Sequence, residues 1–236
     1  ITFFIILTLT IFFLEGEIWM YFGALLIFGF ITFLGVTNLD FNWFLKSYSS
    51  NPKTQDRFVA LTFDDGPTTE CTEKILEILA THYVKATFFC VGENARQHPE
   101  LIKKIIEGGH NIGNHTMHHK NGFKTGIQKY VNEVLQASEY IPSKLFRPPY
   151  GKCNIFQNLK LRNLGYKIIQ WDVIAYDWDK KRTPHDVLSI IEKYVRNGSI
   201  IVLHDSVKAS DRTLPILSTL IISLKSRGFE IKTIIS

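Results

Sequence analysis

Two adjacent carboxylates, Asp64 and Asp65, end the apolar run Leu61-Thr62-Phe63 and are followed at once by the turn pair Gly66-Pro67. Farther along, Asn114-His115-Thr116-Met117-His118-His119 supplies imidazoles at 115 and 119, four positions apart. On a helix that spacing puts both rings on one face, as a metal pair needs, and leaves His118 off the face as a non-ligand. One carboxylate and two histidines can hold a divalent cation, with the second carboxylate left over as a base. This is the inventory of a metal-assisted hydrolase.

Other polar residues stand where a site would need them. In Phe146-Arg147-Pro148-Pro149-Tyr150-Gly151, two prolines stiffen the chain directly after an arginine. Such a segment can clamp a carboxylate with Arg147 while aiming a backbone N–H into a site. The stretch Trp171-Asp172-Val173-Ile174-Ala175-Tyr176-Asp177-Trp178 mixes acids with aromatic faces of the kind that suit sugar rings. The apolar run Ile200-Ile201-Val202-Leu203 delivers His204 to its end, with Asp205 next.

These residues need a scaffold that gathers them. From residue 57 onward, short β-branched and aromatic runs (58–63, 86–91, 111–114, 144–147, 167–173, 199–203 and 230–234) alternate with helical patterns (73–82, 99–107, 127–140, 156–164, 184–196 and 214–226). Several helical patterns stop at glycine, as at Gly108, Gly165 and Gly228. Strict alternation predicts parallel strands covered by helices. One unbroken series favours a closed or nearly closed barrel, with an open doubly wound sheet as the alternative. In such barrels the C-terminal strand ends converge on one face and carry the site. Asp64, Asp65, His115, Arg147, Asp177 and His204 all fall at or just after strand ends.

The remaining sequence is of another kind. Among residues 1–36 the only charges are Glu15 and Glu17, and residues 18–36 form an uncharged stretch of about 19, enough to cross a bilayer core. The expected organisation is a membrane anchor of two transmembrane helices over 1–45, a polar linker over 46–56 and a catalytic domain over 57–236. The chain opens on Ile rather than Met, which leaves the first apolar segment open to extension upstream. Lys46, Lys53 and Arg57 follow the second segment, so the positive-inside rule places the catalytic domain in the cytoplasm. A cell-envelope substrate calls for the opposite, extracytoplasmic face.

The 236 residues are 45% hydrophobic with 18 Phe, ample for a substantial core. A net charge of +5 with no dense basic run interleaved with aromatics speaks against nucleic-acid binding. Cys71, Cys90 and Cys153 are odd in number and have no CxxC spacing, which excludes a zinc cluster or a full disulfide framework. No protein partner is legible.

Taken in order, TFDDGP, HTMHH, RPPYG, the Asp177-Trp178 pair and the Val202-Leu203-His204 segment resemble polysaccharide deacetylases of the NodB-homology type, carbohydrate esterase family 4. The resemblance runs from about residue 58 to the C-terminus and leaves the apolar segment outside it. It implies a distorted (β/α)7-type barrel and metal-dependent removal of N-acetyl groups from the amino sugars of a glycan, with Zn2+ as the usual ion. Carried over by position, Asp64 is the expected base, and Asp65, His115 and His119 are the metal ligands. Arg147 would hold Asp64, and Tyr150 would offer its N–H to the oxyanion. His204 would be the general acid oriented by Asp177, while Trp178 and Val202 shape the acetyl pocket. Members often carry an acid three residues before the Asp177 position. Here that residue is Ile174, with Asp172 nearby to compensate. Two other readings stand beside this one: a membrane-tethered glycan-binding protein without catalysis, and a metal-dependent amidase acting on a small non-sugar amide.

Overall fold

The computed structural model describes residues 17–37 and 57–234, together with Ile5, Thr10 and Tyr48. The chain divides into two compact units, residues 1–46 and 47–236. The first contains the helix Ile18–Thr37, 20 residues long, with no acidic or basic residue in its terminal turns. Its side chains are described as far as Phe30, and Trp19 and Leu26 are each 74% exposed. Among the described residues no helix is long and apolar enough to cross a membrane. Most of the expected first segment, 1–14, and of the expected linker, 46–56, lies outside the described residues.

The second unit is built on eight parallel strands among the described residues. These are β1 (Phe58–Asp64), β2 (Thr87–Cys90), β3 (Asn111–Asn114), β4 (Leu145–Phe146), β5 (Lys167–Ile168), β6 (Val173–Ile174), β7 (Ile200–His204) and β8 (Glu230–Ile231). Their order is β5-β4-β3-β2-β1-β7-β6, with β8 paired to the start of β1. The expected closed barrel is therefore not closed: β5 and β6 form opposite edges and do not pair. Yet only residues 169–172 join them, a length that spans at most about 17 Å. The sheet must curl until its two edges face each other. The single strand expected over 167–173 is in fact these two short edge strands, separated by the four residues from Ile169 to Asp172.

Alternation of side chains decides what lies on each face of the curl. Along β1, Val59, Leu61 and Phe63 point outward into the main core with Ile201 and Leu203 of β7 and Phe88 of β2. Helices Thr72–Thr81 and Val207–Ser226 cover that face through Ile75, Leu79, Ile216, Leu217 and Leu220. The intervening positions face the inside of the curl. At its floor sit Ala60, Phe89, Leu145, Ile169 and Ile200. Above them, toward the C-terminal rim, the same rows carry Thr62 and Asp64 on β1 and Val202 and His204 on β7. The register pairs Thr62 with Val202 and Asp64 with His204. A one-residue slip of β1 would turn Asp64 into the helix layer, so outer-face packing fixes the inner-face chemistry.

Candidate active site

The two adjacent aspartates diverge because the backbone turns between them. Asp64 is the last residue of β1 and is buried. Asp65 has φ 79° and is only partly buried. The following turn is tied down from β7, where Asp205 accepts hydrogen bonds from the Gly66 N–H (2.9 Å) and the Thr72 hydroxyl (2.8 Å). Glycine is required at 66, since a Cβ would lie 1.9 Å from the Asp205 carboxylate. Burial pushes the Asp205 carboxyl up to about 7.

The two candidate ligand histidines also meet, but not on a helix. Residues 115–119 form a turn in which Thr116 (φ 64°) and His119 (φ 52°) adopt left-handed conformations. Asn114 starts the turn by accepting from the Thr116 N–H, while the Thr116 hydroxyl accepts from the Lys120 N–H. Buried Glu133 fastens the loop from below by accepting from the His118 N–H at 2.9 Å and contacting its ring at 3.1 Å. The i, i+4 spacing thus brings the rings together through a tight loop and not along one face of a helix.

Asp65, His115 and His119 each offer one ligand atom, all within 4.8 Å of one another. Asp65 Oδ1 lies 3.1 Å from His119 Nε2 and 3.6 Å from His115 Nε2. The Nδ1 of His115 is 2.7 Å from the Arg147 carbonyl oxygen. A carbonyl only accepts, so the His115 proton sits on Nδ1 and the Nε2 lone pair faces the cluster. Burial lowers His115 to about 4, keeping it neutral. Burial also opposes ionisation of Asp65, but the His119 hydrogen bond and the His204 charge outweigh it. They hold the carboxyl well below the usual range. A carboxylate oxygen and two imidazole nitrogens suit a divalent cation with open coordination positions.

Asp64 stands outside this cluster. Its Oδ1 accepts from Arg147 Nη1 at 2.6 Å, and the same nitrogen reaches the Thr62 hydroxyl at 2.6 Å. Arg147 is fully buried, stacked 4.1 Å over the Phe89 ring and 5.7 Å from Trp171. Its Nε has no partner. Breaking a buried pair of this kind costs about 3–5 kcal/mol because it strands the remaining charge.

Across the β1–β7 ladder, His204 presents a different environment. Its Nδ1 lies 2.7 Å from Asp177 Oδ1, and Asp177 Oδ2 accepts from the His204 N–H (2.7 Å) and the Thr213 hydroxyl (2.6 Å). Arg212 Nε donates to the Asp177 carbonyl at 2.5 Å. Burial opposes the His204 charge, but Asp177 overcomes it and raises the ring to about 9. Trp178 packs edge-on against His204 at 4.7 Å, and Val202 lies one pleat below it on the same inner face. Tyr150 is 60% exposed at φ 60°, its ring 4.6 Å from that of His119.

A family model described as polysaccharide deacetylase matches residues 51–169. The chain is 37% identical to a peptidoglycan-N-acetylglucosamine deacetylase of Bacillus cereus, over 76% of this chain and 70% of that protein. The chain belongs to the polysaccharide deacetylase family. It is also 37% identical to the peptidoglycan-N-acetylglucosamine deacetylase PgdA of Listeria monocytogenes, over 77% of this chain. It spans only 39% of that protein's length. A solved peptidoglycan N-acetylglucosamine deacetylase in complex with 4-naphthalen-1-yl-N-oxidanyl-benzamide superposes with a TM-score of 0.76 at 34% identity. That match covers 80% of this chain and 90% of that one.

Within this family fold, one expectation needs correction. Asp172 does not compensate for Ile174. Its carboxylate binds the Ser199 hydroxyl, the Ile200 N–H and Arg196 at the start of β7, away from His204 and Asp177. The Asp177 network is completed instead by Thr213 and Arg212, on the last long helix. Sequence reading missed both, along with Glu133 and the Asp205–Thr72 brace. The one available signal was the acid directly following His204.

Proposed function

We propose that the chain is a metal-dependent hydrolase that removes N-acetyl groups from the amino sugars of a polysaccharide such as peptidoglycan or a chitin-like glycan. One observation carries this reading. Asp65, His115 and His119 converge to within 4.8 Å, while Asp64, the next residue in the chain, is tied to Arg147 and stays outside. A base and a three-ligand cluster side by side are what amide hydrolysis needs. The names of the relatives point the same way.

Asp65, His115 and His119 would hold the divalent cation, most simply Zn2+. When bound, it would supply Lewis-acid polarisation of an acetyl carbonyl and acidify a water. The chain's own residues supply the rest. Asp64 accepts the proton of the attacking water, and Arg147 fixes the carboxylate that does so. The Tyr150 N–H donates to the oxyanion, a contribution of roughly 3–4 kcal/mol in comparable sites. His204, protonated below about 9, gives a proton from Nε2 to the departing sugar nitrogen, while Asp177 keeps Nδ1 engaged. Trp178 and Val202 bound the space beside His204 for the acetyl methyl. The exposed rings of Tyr150 and Tyr176 support a polymer substrate over a small amide.

The uncharged run of residues 18–36 is the sequence feature behind the proposed membrane anchor, and a cell-wall substrate favours the extracytoplasmic face. Protease protection in intact and opened cells tests that placement; a catalytic unit cleaved only in opened cells would reverse it. For the activity, acetate release from a panel of N-acetylated glycans is measured with chelator and after zinc is restored. Release that survives complete chelation would refute the metal-dependent reading.

A further inference from the structure

Beside the catalytic rim runs a groove of about 390 Å³ along the free edge of β6, with helix Pro184–Tyr194 as its other wall. Asp172, Ile174, Tyr176, Arg182, Ile190 and Tyr194 line it. Tyr176 and Tyr194 are 43% and 57% exposed; Arg182 and Trp178 lie against the Tyr176 ring and Lys193 against that of Tyr194, and the rest of each ring's surface is open to a ligand. A row of ring contacts links the groove wall to the site: Tyr176 lies 5.4 Å from Trp178, which lies 4.7 Å from His204.

Arg182 is the unusual member. Its guanidinium lies 5.0 Å over the Tyr176 ring, and among the described residues it has no ion-pair partner. Its Nε is buried and has no hydrogen-bond partner. The acids around it are otherwise engaged. Asp179 accepts from the Lys181 N–H, Asp186 caps the helix through Thr183, and Asp172 is bound to Arg196, Ser199 and Ile200. The loop that carries Arg182 is set by its own bonds, Asp179 N–H to the Tyr176 carbonyl and Arg182 N–H to the Asp179 carbonyl. Tyr176 itself is held at φ 57°. A half-buried guanidinium with no ion-pair partner among the described residues, set against the Tyr176 ring, complements a planar anion attached to a ring-shaped ligand.

We propose that Arg182, with the faces of Tyr176 and Tyr194, forms a subsite that binds a carboxylate carried by the glycan next to the sugar being deacetylated. This rests on the glycan-deacetylase reading above. It adds that the enzyme prefers an acidic polymer. The carboxylate can come from an acidic sugar or from a peptide attached to the glycan, and the chemistry at Arg182 is the same.

Calorimetric titration of the zinc-loaded protein tests it. The probes are three oligosaccharides of equal length: neutral N-acetylglucosamine oligomers, alternating N-acetylglucosamine–glucuronate oligomers, and peptidoglycan fragments bearing peptide carboxylates. Arg182→Gln should weaken at least one carboxylated probe about tenfold and leave the neutral probe unchanged, and Arg182→Lys, which keeps the charge but not the planar fork, should recover only part of the loss. Ile174→Asp, which adds a carboxylate to the groove, should mimic Arg182→Gln. The carboxylated probe that responds names the source. Equal loss on all three probes, or no loss on either carboxylated one, overturns the subsite. Acetate release by the wild type from the neutral oligomer is followed separately. If that release is absent, the activity reading fails, while charge-selective binding is judged on its own data.

Discussion

Two histidines at the rim, His115 after β3 and His204 ending β7, start from the same chemistry and are driven in opposite directions. Both lie against buried surroundings that disfavour charge, yet one falls to about 4 and the other rises to about 9. The difference is the atom facing Nδ1. For His115 it is the carbonyl oxygen of Arg147, which fixes a tautomer without offering a charge. For His204 it is an Asp177 carboxylate, which stabilises the imidazolium. One ring is left as a lone-pair donor and the other as a proton donor. Two strands of one sheet, β3 and β7 with β2 and β1 between them, thereby offer a candidate ligand and a candidate acid from the same residue type.

The largest effect should come from the ligand side. His115→Ala should cost the protein its metal and reduce acetate release to background. Unchanged metal content by elemental analysis would remove His115 from the ligand set. His204→Ala should lower kcat by about 10²–10⁴ and leave metal bound, separating the acid from the ligands. Loss of metal in that variant would erase the distinction between the two rings.

Asp177→Asn sharpens the comparison by giving His204 a neutral partner, as His115 already has. The alkaline limb of kcat should move down from near 9, with a smaller loss of rate than in His204→Ala. A limb that stays in place would assign it to another group. The two histidines also pull stability in opposite directions. His204 binds its proton more tightly when folded, so its contribution is complete below the ordinary 6.5 and is lost as pH rises through about 9. His115 favours the neutral ring when folded, so its contribution is present above 6.5 and is lost as pH falls through about 4.

The smallest effect is structural. Asp205→Ala removes the acceptor for Gly66 and Thr72 and should destabilise the metal-free protein by about 2–3 kcal/mol in urea melts. A loss under about 0.5 kcal/mol would mean that the turn holds itself.

The sequence made the rim legible because strand ends announce themselves: apolar runs stop, and Asp64, His115, Arg147 and His204 stand at the stops. Alternation gave the parallel sheet for the same reason. Local periodicity could not reveal closure, which depends on whether β5 and β6 pair across the curl. It read 167–173 as one strand since Ile168, Ile169, Trp171 and Val173 run across both short strands and their connection. Pro215 hid the first two turns of the helix Val207–Ser226, where burial of residues such as Ala209 and Thr213 outweighs the cost of an interior proline. The positive φ of Thr116 and His119 carries no glycine signature, so the turn that joins the ligands could not be told from a helix. Glu133, Arg212 and Thr213 act from other helices, and only tertiary packing brings them to the site.

Zinc content after equilibrium dialysis, measured alongside acetate release in the same samples, tests the division between Asp64 and Asp65 most directly. Asp64→Asn should keep about one zinc per chain and lose turnover, whereas Asp65→Asn should lose the zinc. An Asp64→Asn protein that sheds its metal, or that still releases acetate at the wild-type rate, would contradict the account.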